Sequence, residues 1–308
     1  MFKKLNNRSN DNNCNNHHNL NCNEVKIIAD STCDISLEKL KELDIDMLPL
    51  YVIMQGKEYL DMEEIGWNEV IQNVNEHNEL PKTAAINVNT FTQIFDKYVS
   101  SGYDVIFVSI GSNFSSNLNN ARIAKEDDER FEDRIFIVNS NNLSSAIGLM
   151  LIKMAKMRDK GFSAKEIVEK TNEMIPLVQT ETALETMQYL YKGGRCSGIK
   201  SLIGNVLKLY PIVKVIDGII KVHKLGKMFF KNALNIIVND FKRDLDEGNV
   251  DDEFIIISTV GNEKGREYLY NKISEFFPKE RILLFDAGCV VSTHCGPGTT
   301  GFFYLRKH

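Results

Sequence analysis

The sequence predicts an α/β protein of two domains. A parallel, doubly wound sheet is expected in the N-terminal domain (25–175), and a mixed or antiparallel α+β sheet in the C-terminal domain (176–308). Three observations carry this. Up to residue 175, short apolar runs rich in β-branched residues alternate with amphipathic stretches, the pattern of βαβ units with right-handed crossovers. Beyond it, two alternating apolar runs flank Asp217-Gly218, the strongest short-range hairpin signal. Two small polar loops, at 111–116 and 292–301, also follow or precede strands in a way that brings backbone N–H groups and hydroxyls together.

Taken in order, residues 6–23 are dominated by Asn and hold almost no apolar side chains, so the stretch 1–24 is expected to be a disordered tail. Cys14, His17, His18 and Cys22 within it are of the right type for zinc, but nothing there would order a site. Folded sequence starts with a strand at 25–29 and the polar turn Asp30-Ser31-Thr32-Cys33-Asp34. Ser36 caps a helix with Leu37, Leu40 and Leu43 on one face. A strand is expected at 47–54, a helix at 61–75 with Trp67 in the core, and a Pro-led loop at 80–88. A helix capped by Asn89 or Thr90 precedes the apolar strand 105–110, and a helix begins near Asn117. A strand at 134–139 and a helix at 144–160 follow. Ser163 and Glu166 then have capping-box spacing.

In the second part, a strand at 180–184 leads to a short helix at 185–191 stopped by Gly193-Gly194, with Arg195 just beyond. The hairpin spans 209–224. Helices at 232–245 and 264–277 then alternate with strands at 254–259, 281–285 and 302–305.

Composition narrows the function. The 308 residues are 43% hydrophobic and 26% charged, ordinary for a globular protein. A net charge of −5 leaves no basic footprint for nucleic acid. No apolar run reaches the roughly 18–20 residues that span a bilayer. The opening Met1-Phe-Lys-Lys-Leu5 is followed by polar residues instead of a signal-peptide core, so a cytoplasmic protein is expected. The six cysteines (Cys14, Cys22, Cys33, Cys196, Cys289, Cys295) lack framework spacing and read as free thiols.

The loop holding Ser112, Ser115 and Ser116 lies between a strand and a helix N-terminus, where an anionic group is the expected guest. The C-terminal loop places His294 beside Gly296-Pro-Gly298. Gly296, Gly298 and Gly301 match G-x-G-x-x-G in form only: a strand follows them, and no acidic ribose partner lies downstream. No phosphate-loop motif occurs. The glycines are better read as a tight turn allowing close backbone approach to a ligand. A serine hydrolase using Ser115 or Ser112, His294 and Asp30 or Asp34 is the enzymatic alternative, although the sequence has no G-x-S-x-G elbow. A third reading is a binder of a small anionic metabolite.

From about residue 25 to 305, the chain resembles the DegV family of fatty-acid-binding proteins. The resemblance is carried by Asp30-Ser-Thr-Cys-Asp34, Phe114-Ser-Ser-Asn-Leu-Asn-Asn-Ala121, Tyr191-Lys-Gly-Gly-Arg-Cys-Ser197, Lys208-Leu-Tyr-Pro-Ile212 and His294-Cys-Gly-Pro-Gly298, in that order. It implies a two-domain α/β fold with a long-chain fatty acid between the domains, bound without a cofactor. It also implies a non-catalytic role, with the acid presented to a separate fatty-acid kinase. Membrane contact would be at most transient and at the surface. By the resemblance, the carboxylate meets Thr83, Ser115, Ser116 and His294. Asp30, Ser31, Ser112, Gly296 and Gly298 support the loops, and Arg195 lies at the entrance where the kinase docks. Two departures stand out. The family's Thr-Ser-Gln-Pro is here Thr83-Ala84-Ala85-Ile86, and its Ser-Gly-Thr is Ser115-Ser116-Asn117. Two polar groups are therefore missing, and a side chain stands where backbone is usually bare.

Overall fold

The structure, a computed structural model, describes residues 24–196 and 208–308. The tail with Cys14, His17, His18 and Cys22 lies outside the described residues, as does Ser197. β1 (Val25–Asp30) runs into a single 3-10 turn at Ser31–Cys33 that the Asp30 carboxylate caps, and Ser36 caps α1 (Leu37–Glu42). The single strand expected at 47–54 is two. β2 (Ile45–Leu48) pairs in parallel with β1, and β3 (Tyr51–Met54) leaves for a separate antiparallel sheet. Pro49 stands at the break, where it restricts its predecessor and offers no N–H. β4 (Lys57–Leu60) joins β3 on one side. α2 (Trp67–His77) begins six residues later than residue 61, the expected start, because Glu69 reaches back to the Gly66 N–H there. The Pro-led loop contains β5 (Lys82–Ala84), a strand too short to show a period, which completes the order β4-β3-β5.

α3 (Val88–Ser100), β6 (Asp104–Ser109), α4 (Asn117–Glu126), β7 (Ile135–Asn139), α5 (Ser145–Asp159) and α6 (Ala164–Met174) complete the first domain. Its sheet is parallel throughout, in the order β2-β1-β6-β7. Ile27, Ala29, Ile106 and Val108 point to the side of α5 and α6, whereas Ile28, Val105 and Phe107 point to Phe91, Phe95, Ala121 and Ala124 of α3 and α4. Helices on both faces are why these strands read as continuous apolar runs.

The second sheet has the order β10-β9-β8-β13-β11-β12. Its members are β8 (Val178–Ala183), β9 (Leu209–Ile216), β10 (Ile219–Lys227), β11 (Ile255–Thr259), β12 (Ile282–Asp286) and β13 (Thr300–Leu305), interleaved with α7 (Gln188–Lys192), α8 (Phe230–Asp246), α9 (Glu263–Ile273) and α10 (Cys289–Cys295). Only β11 and β12 pair in parallel, so the sheet is mixed. The hairpin turns on Asp217 and Gly218, both at positive φ, as a type I′ turn requires. The loop expected at 292–301 is helical in its first part: Ser292, Thr293 and His294 belong to α10.

α5 packs against β1 and β6 of one sheet and β8, β11 and β13 of the other. Such a position buries nearly every residue from Ser145 to Ala155, leaving no polar stripe. Cys33, Cys289 and Cys295 are free thiols, and these three and Cys196 are buried. Among the described residues, no helix is long and apolar enough to cross a membrane.

A Cβ at Gly148 of α5 would lie 2.6 Å from Ile35 Cγ1 and 2.9 Å from the Cys33 carbonyl oxygen. Gly148→Val should therefore destabilise the fold by about 1–3 kcal/mol through overpacking. A urea midpoint unchanged from the wild type would contradict this tight fit.

Candidate functional site

The site is built outward from the end of β1. Asp30, fully buried, accepts five hydrogen bonds. Thr32 supplies its N–H and hydroxyl to Oδ1; Ser109 Oγ, Ile110 N and Asn117 Nδ2 supply Oδ2, at 3.1, 2.9 and 2.9 Å. Burial raises its pKa while these donors pull it down. The loop between β6 and α4 is thereby tied to β1. Asn117 extends the tie: its Oδ1 accepts the Ile86 N–H, and Asn120 Nδ2 donates to the Ile86 carbonyl, fixing the segment that carries Thr83.

The same turn holds α10. Ser31 donates to Asp61 Oδ2 at 2.7 Å and accepts the Leu50 N–H. Asp61 Oδ1 accepts the Cys289 N–H at 2.6 Å, and Asp34 Oδ1 accepts the Gly288 N–H at 2.8 Å. Two carboxylates from the first domain thus satisfy the orphan donors at the start of a helix in the second. Burial raises both pKa values, that of Asp61 to about 6. No sequence signal pointed to Asp61, which stood at the start of an expected helix.

His294 sits in the last turn of α10. Its Nε2 is 3.3 Å from Thr83 Oγ1, a contact spanning 211 residues of sequence. Its Nδ1 is buried without a hydrogen-bond partner beside Gly193, where a Cβ would come within 2.3 Å of it. Gly193 is therefore more than a helix stop, because only a residue without a side chain admits the imidazole. Burial first, and the nearby Arg195 second, push the His294 pKa down to about 4, so the ring is neutral near pH 7.

Thr83 and His294 line a cavity of about 120 Å³ walled by β5, the loop after β6, α7, β10 and α10. Thr83, Ser115, Ser116, His294 and Arg195 are polar members of its lining; Leu50, Ile110, Phe114, Leu190, Ile220 and Val291 are apolar ones. Ser115 Oγ accepts the Asn117 N–H, which leaves its proton free to donate. Ala84 and Ala85 also face the cavity, so the missing polar groups fall within it. Arg195 is exposed at the rim, with Nη1 donating to the Gly193 carbonyl at 2.6 Å and Nε to the Phe114 carbonyl.

The remaining expected residues lie outside the cavity. Ser112 is exposed and exchanges hydrogen bonds with Asn139. Gly296 and Gly298 take positive φ, and a Cβ on either would strike Tyr189 or Glu185, so they let the chain turn past α7. The hydrolase arrangement lacks its third member. Asp30 and Asp34 are bonded elsewhere, His294 Nδ1 has no partner, and the hydroxyl at Nε2 is that of Thr83.

Comparison with known proteins agrees with this architecture. Residues 24–307 match the family described as "uncharacterised protein, DegV family". A DegV domain-containing protein of Clostridium acetobutylicum is 31% identical over 287 residues, covering 92% of this chain and 99% of that protein. A solved fatty-acid-binding DegV family protein of Thermus thermophilus matches with a TM-score of 0.84 at 24% identity, over 92% of this chain and 99% of the other. A stearic-acid-binding protein of Eubacterium ventriosum matches at 0.80 and 25% identity, over 92% and 98%.

Asp30→Asn should turn an amide NH₂ toward N–H and O–H donors and cost about 3 kcal/mol or more, read as a lowered urea midpoint. A variant as stable as the wild type would show that Asp30 is not the tie. For His294, folding lowers the pKa, so its contribution to stability is whole above about pH 6.5 and is lost as pH falls toward about 4. An NMR titration should show the His294 ring neutral down to about pH 5, and a midpoint near 6.5 would contradict its burial.

Proposed function

The chain belongs to the DegV family, and on that premise we propose that its cavity binds a long-chain fatty acid by the carboxylate and presents it to a separate fatty-acid kinase. The observation that carries the reading is one cavity whose lining combines three hydroxyls and an imidazole, with Thr83 and His294 3.3 Å apart, with a set of apolar side chains. The described fatty-acid-binding character of the Eubacterium ventriosum relative supports it.

The chemistry is consistent with that guest. A buried carboxylate without partners costs many kcal/mol, so donors must surround it. Thr83, Ser115 and the neutral His294 supply hydroxyl and ring N–H donors, each bond to a charged group contributing roughly 1.5–3 kcal/mol. A neutral imidazole offers an N–H without burying a positive charge. The tail provides most of the affinity, at about 0.8 kcal/mol per buried methylene, or on the order of 10 kcal/mol for a dozen before ordering costs are subtracted. Head contacts set orientation and the tail sets strength. Arg195, exposed at the rim, is the group a kinase would meet first.

Organic extraction of the purified protein followed by mass spectrometry tests the reading. A co-purified long-chain fatty acid is expected, and a small polar anion alone would overturn it. Ser115→Ala should weaken fatty-acid binding about tenfold or more, and unchanged affinity would remove Ser115 from the head-group site. Arg195→Ala should leave lipid binding intact while reducing phosphorylation of the bound acid by a fatty-acid kinase. Loss of lipid binding in that variant would contradict the docking role.

A further inference from the structure

Behind the head-group cavity lies a second chamber that the reading above does not use. Leu143, Val291 and Cys295 line both and form their common wall. The chamber encloses about 20 Å³, room for one water-sized group. It is framed by a row across three strands: Ser258 of β11 pairs with Gly301 of β13, and Gly301 pairs with Thr182 of β8. Directly paired residues project from the same face of a sheet. Two hydroxyl side chains therefore flank a position with none. A Cβ at Gly301 would lie 2.7 Å from the Phe303 ring and 3.4 Å from Thr182 Oγ1, so the glycine keeps this space open.

Three of the other hydroxyls around the chamber are committed: Ser144 donates to Asp34, Thr299 to the Cys295 carbonyl, and Thr259 bonds Asp286 and Arg266. Ser258 is not. It is 3% exposed, and its Oγ has no hydrogen-bond partner. A buried hydroxyl in that state is penalised, so a methyl or methylene beside it leaves the penalty in place and an oxygen removes it.

Resting on the fatty-acid reading, we propose that the chamber receives an oxygen carried on the acyl chain. The ligand is then a long-chain fatty acid with a hydroxyl along its tail, and Ser258 is the residue that selects it. Leu143, Val291 and Cys295 separate the head-group cavity from the chamber, so a chain anchored at Thr83 and His294 that runs along this wall directs its hydroxyl, and not its methylenes, into the chamber as those side chains shift. There the chain hydroxyl bonds Ser258 Oγ. A site built around a buried polar group discriminates against an analogue that lacks the matching oxygen.

Calorimetric titration of delipidated protein with stearic acid and with a positional series of hydroxystearic acids tests this. At least one isomer should bind about tenfold more tightly than stearic acid. Ser258→Ala, with an unchanged melting temperature, should erase that preference and leave stearic acid affinity as it was. No isomer exceeding stearic acid would overturn the proposal and leave the chamber to a water molecule, with the fatty-acid reading intact. A preference surviving in Ser258→Ala would overturn the role of Ser258. Binding of neither stearic acid nor any isomer would instead overturn both, through the fatty-acid reading itself.

Discussion

A single buried carboxylate constrains most of what surrounds it. Asp30 has no access to solvent and meets five donors from four residues on two stretches of chain. In a low-dielectric interior each of those bonds is strong, and each donor left unmet would be costly. The arrangement therefore permits little freedom: where β1 ends, the loop after β6 must come, and with it Ser115 and Ser116. Through Asn117 the constraint reaches Ile86 and the strand bearing Thr83. A hydroxyl-bearing site assembled from three separate segments gains its geometry from one side chain that touches no ligand.

The second constraint crosses between domains. α10 is seven residues long and rich in β-branched side chains, a poor helix by propensity. Asp34 and Asp61 stabilise it by accepting its first N–H groups, and the packing of α5 between the sheets fixes the distance over which they act. His294, at the far end of α10, is thereby aimed at Thr83. Because the same burial lowers its pKa, the imidazole enters the cavity as a neutral donor instead of a cation. Gly193 completes the arrangement by leaving the room that the ring occupies.

The arrangement also leaves His294 Nδ1 without a carboxylate partner among the described residues. A nucleophile activated by His294 would need a carboxylate at Nδ1 to fix the tautomer and stabilise the imidazolium. The buried carboxylates nearby are spent on backbone donors and hydroxyls of the scaffold. What remains at the cavity is the hydroxyls of Thr83, Ser115 and Ser116, a neutral imidazole and the Arg195 guanidinium beside apolar side chains.

The sequence by itself determined the elements whose signal is local. Apolar runs gave β1 and β6, capping residues gave α1 and α6, and Asp217-Gly218 gave the β9–β10 hairpin, because turn chemistry and strand burial are set by the residues themselves. It also gave the hydroxyl-bearing loop between β6 and α4. Tertiary structure decided the rest. Pro49 split one apolar run between two sheets, β4 and β5 were too short to show a period, and α10 formed where composition read as loop, its caps arriving from Asp34 and Asp61 more than two hundred residues earlier. The roles of Asp61 and Gly193 were equally invisible, since a hydrogen bond across 228 residues and a close approach to an imidazole leave no trace in local pattern. Periodicity reports how a segment meets the core; only the packed chain reports which distant groups must meet each other.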